Sequence, residues 1–367
     1  MYGLSLALWP ASVTLQAQRA LLGMASPFIV HDPEFLRALG AAPRLDWVVD
    51  VDAHEGPVYV AHADALYFTS LPTPDWQVAI RRIALDGERF PLAPDRVETV
   101  VQHTRVANGM TLDAGGQLLV CEQGSIAGPA AISRVDPRTG ARSVVVDNWG
   151  GLPLNSPNDV VVRSDGSIWF TDPSYGHLQG FRPEPQAGDH VYRWDPRTGM
   201  LTVVADDFVK PNGLAFSPDE SLLYVTDSGA NQEAGSFYPH LPHHVIAYDV
   251  DHGRHLVNRR LFAVTNPGFP DGLKVDADGR VYASSFSGVQ VFSPLGDFIG
   301  EISLPGAVNF CFGGRAGNVL FIATDTAVWA ATLAAPAGAS LPAGQIRSGS
   351  ETKELPHDRQ PHAPDHR

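Results

Sequence analysis

Six copies of one strand–turn–strand pattern run through this chain, and such a repeat restricts the fold more than any single residue does. Residues 108–124, 158–172, 212–227 and 271–285 are the clear copies, each an apolar run, an Asp-rich turn and a second apolar run; residues 56–70 and 308–324 are weaker ones. A second hairpin follows most copies. Arg134-Val-Asp-Pro-Arg-Thr-Gly140 and Arg193-Trp-Asp-Pro-Arg-Thr-Gly199 are near-identical turns. Two hairpins make a four-stranded antiparallel blade, and six such units predict an all-β six-bladed β-propeller around a central channel. A strand near residues 328–333 is expected to complete a blade with one near 45–51, which would hide the free sheet edges.

The same repeat places polar side chains at one point of each unit. Glu55, Asn108, Asn158, Asn212, Asp271 and Asn309 recur at intervals of 38 to 59 residues, each at or just before an apolar strand. Equivalent positions in a closed ring converge on its axis. Glu55, Asn158, Asn212 and Asp271 would supply two carboxylates and two amide oxygens, a donor set for a hard divalent cation, Ca²⁺ first, with Mg²⁺, Mn²⁺ or Zn²⁺ as alternatives. The competing reading is that Asx-Gly pairs simply start turns. Asn108 is expected to line the pocket without binding the metal. Asp172 and Asp227, at the ends of second strands, would either orient a ligand or cap a turn. His54 precedes Glu55; a histidine beside a metal is a plausible proton carrier, but strand alternation sends it to the opposite face.

Strand direction puts two long connections, 173–189 and 228–243, on the same side as those polar positions. Their Tyr175, His177, Phe237 and Tyr238 are the expected substrate wall, with Asn108, Asp172 and Asp227 as its polar part. Outside the propeller, taken as residues 44–334, residues 1–43 read as an extension packed on it, with a short helix at Pro33–Leu39. Residues 335–367 turn to Pro, Ala, Gly, Ser and charge and read as a disordered tail.

Charge and motifs narrow the function classes. With 40 acids against 26 bases, net charge is −14, which argues against nucleic acid and anionic membranes as partners. No run of 18 apolar residues exists to span a bilayer. Cys121 and Cys311 lack metal spacing and read as buried small hydrophobes. Residues 1–25 lack a basic segment before their apolar run, so a cytoplasmic protein, monomeric or a small homo-oligomer, is expected. No H-E-x-x-H, P-loop or G-x-S-x-G motif is present.

Glu55-Gly-Pro-Val-Tyr59, residues 156–173 (Ser-Pro-Asn-Asp-Val through Phe-Thr-Asp-Pro), Lys210-Pro-Asn-Gly-Leu-Ala-Phe-Ser-Pro-Asp219 and Pro270-Asp-Gly-Leu-Lys-Val-Asp276 resemble the gluconolactonase and regucalcin (senescence marker protein) family. The resemblance covers residues 45–333. It implies a six-bladed propeller with a divalent cation in its channel and a lactone as substrate. It implies Glu55, Asn158, Asn212 and Asp271 as metal ligands, and Asp271 as general base or nucleophile. More distant relatives, diisopropylfluorophosphatase and paraoxonase, leave aryl-ester or phosphotriester hydrolysis open, and a non-catalytic binding propeller remains the third class. One departure stands out: many members read Cys-Glu-His where this chain has Cys121-Glu122-Gln123.

Overall fold

The structure is a computed structural model describing residues 26–85, 87 and 89–334. The leader and tail expectations for 1–25 and 335–367 lie outside the described residues. Six antiparallel sheets surround one axis. Their innermost strands are Glu55–Val60, Ala107–Leu112, Val160–Val162, Pro211–Phe216, Leu273–Val275 and Asn309–Gly313, and each touches its two neighbours around the ring. Within the first four blades the chain runs outward strand by strand. The sixth blade takes its outermost strand, Arg44–Asp50, from the other end of the chain, paired with Ala327–Thr332. That pairing closes the propeller as the sequence predicts.

The turns follow from their residues. In the second blade Asp136 accepts the Arg138 and Thr139 N–H groups at 2.7 and 3.0 Å, and Gly140 takes φ 70. Asp195 and Gly199 repeat the arrangement in the third. Such Asx turns let a carboxylate stand in for missing backbone partners. The core lies between blades. Trp169, Leu214, Leu223, Val225 and Ile246 fill one gap, each essentially inaccessible, and analogous clusters fill the others. Each fully buried side chain contributes about 2 kcal/mol, so a blade is stable only against its neighbours.

The described part of residues 1–43 packs on the outside. Phe28–Val30 adds a fifth strand to the fifth blade, against Phe298–Ser303. Helix α1, Pro33–Leu39, is capped by Asp32, whose side chain accepts from the Glu34 N–H at 2.8 Å. Phe35 of α1 is fully buried over Gly300. Cys121 and Cys311 are free and buried. Among the described residues no helix is long and apolar enough to cross a membrane.

Candidate functional site

The inner strands do not simply start at the axis; the backbone is locked there from two sides. Three of them carry a one-residue bulge at the channel mouth, between Glu55 and Val58, Ala107 and Met110, and Pro211 and Leu214. A bulge re-aims side chains near a site. The glycine after the polar residue answers a different need from a turn. A Cβ on Gly213 would stand 2.3 Å from the Asp271 carbonyl, and one on Gly109 would stand 2.4 Å from that of Asn158. The Asx-Gly pairs therefore mark close strand approach, not turn starts.

Second strands then pin the mouth by hydroxyls. Thr69 Oγ1 donates to the Glu55 carbonyl at 3.0 Å and reaches toward that of Asn108 at 3.4 Å. Thr171 donates to the Asn212 carbonyl at 2.7 Å, and Thr226 to that of Asp271 at 3.3 Å. Each threonine thus fixes the polar residue of the next blade. Sequence reasoning missed these groups, although a threonine at one position of three repeats was a visible signal.

Glu55, Asn108, Asn158, Asn212 and Asp271 converge on one cavity of about 30 Å³, with His54, Pro72, Trp76, Gln123, Tyr175 and Gln179 as its remaining walls. That volume holds an ion or a water, not a whole substrate. Burial, then the like charge of Glu55, raises Asp271 well above the usual carboxylate range, against the His54 charge and a hydrogen bond from the Asn212 amide. Burial also raises Glu55, opposed by His54 and by the Asn309 amide, which donates to Glu55 Oε2 at 2.7 Å. Beneath them Asp159 is buried with Oδ2 lacking a hydrogen bond, 3.8 Å from Lys274 Nζ. Burial alone would lower the His54 imidazole. Asp325, with Glu55 and Asp271 behind it, outweighs that and pushes it up to about 9.

These residues fit a hard divalent cation. Two dry carboxylates repel one another without a counter-charge. Asn108 Oδ1 is buried with no partner, an acceptor waiting for a donor or a cation. Among the described residues no three His, Cys, Asp or Glu side chains form a metal cluster, so amide oxygens must complete the set. The one imidazole present has its Nδ1 engaged by Asp325 at 2.7 Å. A larger cavity, about 400 Å³, opens further along the same inner strands beside Val58, Met110, Phe216 and Lys274. Its acids Asp219 and Glu220 are engaged by Ser217, Ser221 and Ser164, and it lacks the carboxylate–amide set.

Other expected site residues are placed elsewhere. Asp172 accepts the N–H groups of Asn155 and Ser156, both at 2.8 Å, while burial pushes it up to about 7. Asp227 accepts those of Val209 and Lys210. Both carboxylates shape the approach to Asn158 and Asn212 and neither lines the cavity. Of the two long connections, the first contributes Tyr175 and Gln179, from the short helix Tyr175–Leu178 and its end. His177 is exposed. Phe237 packs outward on Phe286, Tyr238 donates to Glu233, and neither reaches the cavity. The aromatic wall comes from Tyr175, as expected, and from Trp76, whose ring lies tilted against Phe181 with centroids 4.1 Å apart. His54 does line the cavity, against expectation. His54 stands outside the strand, which begins at Glu55, so strand alternation does not set its direction.

Comparison with known proteins agrees with this architecture. A gluconolactonase of Zymomonas mobilis is 32% identical over 346 residues, 86% of this chain and 89% of its own length. Lactonohydrolase oryL of Aspergillus oryzae is 30% identical, covering 80% of this chain and 71% of its own. The structure of a gluconolactonase from Xanthomonas campestris superposes with a TM-score of 0.69 at 32% identity, over 85% of this chain and 96% of that one. A calcium-binding regucalcin from Agrobacterium tumefaciens shares the fold at 15% identity, with a TM-score of 0.61 over 82% of this chain and 98% of that one. Residues 53–326 match the SMP-30/Gluconolactonase/LRE-like region, and the chain belongs to that family.

Proposed function

We propose that this chain is a divalent-cation-dependent lactonase. The observation that carries the reading is the meeting of Glu55, Asn158, Asn212 and Asp271, from four blades, in one buried cavity beside an unpartnered Asn108 oxygen. The relatives named gluconolactonase and lactonohydrolase support the lactone as substrate. Bound among these oxygens, a cation such as Ca²⁺ would supply Lewis-acid polarisation of an ester carbonyl. The protein's own groups do the rest. Asp271, buried in the cavity beside Glu55, would take a proton from an attacking water. The Asn212 amide donates to Asp271 and holds its carboxylate in place. Asn108 and Gln123 offer amides to substrate hydroxyls. Trp76, Tyr175 and Gln179 cover the mouth and exclude bulk water.

The test is hydrolysis of glucono-δ-lactone followed in a pH-stat. Chelation with EDTA should abolish turnover, and Ca²⁺ should restore it. Undiminished turnover in chelator removes the cation from the reading; no turnover with Ca²⁺, Mg²⁺, Mn²⁺ or Zn²⁺ removes the lactonase. Asp271→Asn should lose at least 100-fold in kcat while Ca²⁺ still raises the melting temperature. Full activity in that variant would rule out Asp271 as the base.

A further inference from the structure

His54 and Asp325 lie 271 positions apart and meet where the sixth blade closes on the first. His54 Nδ1 and Asp325 Oδ1 are 2.7 Å apart, and both residues are buried. Asp325 occupies the turn between Val319–Ala323 and Ala327–Thr332 with φ 64, in the left-handed region that residues with a Cβ avoid. Its N–H donates to the Ala53 carbonyl at 2.9 Å, which fixes the backbone one residue before His54. Glycine would hold this turn without strain. An aspartate there adds one thing, a carboxylate on the imidazole.

That carboxylate has an orienting effect. It only accepts, so Nδ1 carries the hydrogen. No described residue bonds Nε2 of His54. The ring forms part of the cavity wall beside Glu55 and Asp271, and Asp325 does not. The far nitrogen is therefore the one presented to the cavity. Ring closure does not explain the pair, because Arg44–Asp50 on Ala327–Thr332 already closes the ring.

We propose that His54 is a further catalytic residue, whose Nε2 hydrogen-bonds the attacking water, and that Asp325 is its positioning residue. The proposal rests on the lactonase reading. It assigns His54 contact with the attacking water and leaves cation binding to the four oxygen donors. It also accounts for a cavity in which an imidazole enters from the first blade and an amide, Gln123, from the second.

The experiment compares His54→Ala, His54→Gln and Asp325→Asn with wild type on glucono-δ-lactone at saturating Ca²⁺. His54→Ala should lose about 100-fold in kcat with KM within threefold, and Gln, which keeps a hydrogen-bonding group of similar reach, should recover part of it. Asp325→Asn should lose about tenfold in kcat while its melting temperature stays near wild type, since asparagine accepts left-handed backbone. A second readout needs no turnover. In ¹⁵N-histidine-labelled wild type, the His54 Nε2 resonance, assigned by its loss in His54→Gln, should shift when gluconate is added. In Asp325→Asn the shift should shrink. A turning-over wild type matched by His54→Ala in kcat and KM, or an Nε2 resonance unmoved by gluconate, overturns the proposal alone. A wild type with no lactone turnover overturns the lactonase reading and the proposal with it. Should His54→Ala fail to fold, Asp325→Asn and the resonance still decide.

Discussion

Gly213→Ala should loosen the channel mouth by a calculable amount. The new Cβ would stand 2.3 Å from the Asp271 carbonyl oxygen and 3.0 Å from the Leu273 nitrogen, where ordinary contact begins at 3.4 Å. The fifth blade's inner backbone must retreat by about 1.1 Å, and it is itself pinned by Thr226 and by the Asp271 N–H donating to Ser284. Overpacking costs about 1 to 3 kcal/mol, and contact with backbone atoms of the fifth blade, which cannot swing away as a side chain could, argues for about 3. At roughly 2 °C per kcal/mol for a domain of this size, the melting temperature should fall by about 6 °C. The movement carries the Asp271 carboxylate with it. Cation sites tolerate about 0.2 Å, so Ca²⁺ affinity should drop at least tenfold. Calorimetric unfolding and titration with Ca²⁺ read both effects. Gly199→Ala is the control: φ is 69 there and no atom lies within 4 Å, so about 1 kcal/mol of backbone strain and unchanged Ca²⁺ affinity are expected. A Gly213→Ala protein that melts with wild type and binds Ca²⁺ equally would refute the close-approach reasoning.

Two substitutions test the walls and the scaffold. Trp76→Ala should raise KM for glucono-δ-lactone about tenfold through loss of the cavity's aromatic face, whereas Phe237→Ala should leave KM unchanged; the reverse pattern in steady-state kinetics would return the wall to the second long connection. Thr171→Val removes the donor to the buried Asn212 carbonyl, so unfolding should show a loss of about 1 to 2 kcal/mol and titration a weaker cation site.

The blades were legible because four of the six repeat the same Asx turn after the inner strand, at Asp113, Asp165, Asp219 and Asp276. The oxygen donors were legible for a related reason: Glu55, Asn212 and Asp271 each precede a glycine that the neighbouring blade's close approach demands, while Asn158 precedes Asp159 and was legible from the repeat alone. What failed was register. His54 was sent to the wrong face because the strand begins only at Glu55, and alternation does not govern the residue before it. Asp172 and Asp227 read as site carboxylates by position, yet backbone N–H groups take up their oxygens. Trp76 and Gln179 lie in connections without periodicity, so only tertiary packing brings them to the cavity. Phe237 and Tyr238 illustrate the converse, aromatic residues in a loop on the expected side that folds outward onto Phe286 and Glu233.

The raised carboxylates make the worth of the cation depend on pH, with a definite sign. Burial, then Glu55, raises folded Asp271 above 3.8, and burial raises Glu55 above 4.5. A group raised in the folded state adds stability that is complete below its unfolded pKa and lost as pH rises through the folded one. Without cation, these two residues should therefore weaken the fold as pH climbs from about 4, by up to about 1.4 kcal/mol per pH unit for each proton the folded state alone retains. His54 has the same sign in a higher window, between 6.5 and about 9, so it does not contribute below pH 6. A divalent cation needs both carboxylates ionised and competes with those protons. Its stabilisation, the difference in unfolding free energy with and without Ca²⁺, should be near zero at pH 4 and grow steadily toward pH 6. Taking the difference cancels every carboxylate remote from the cavity. A Ca²⁺ increment that stayed constant across that range would mean the cation binds groups already ionised at pH 4, and the buried Glu55–Asp271 pair would not be its site.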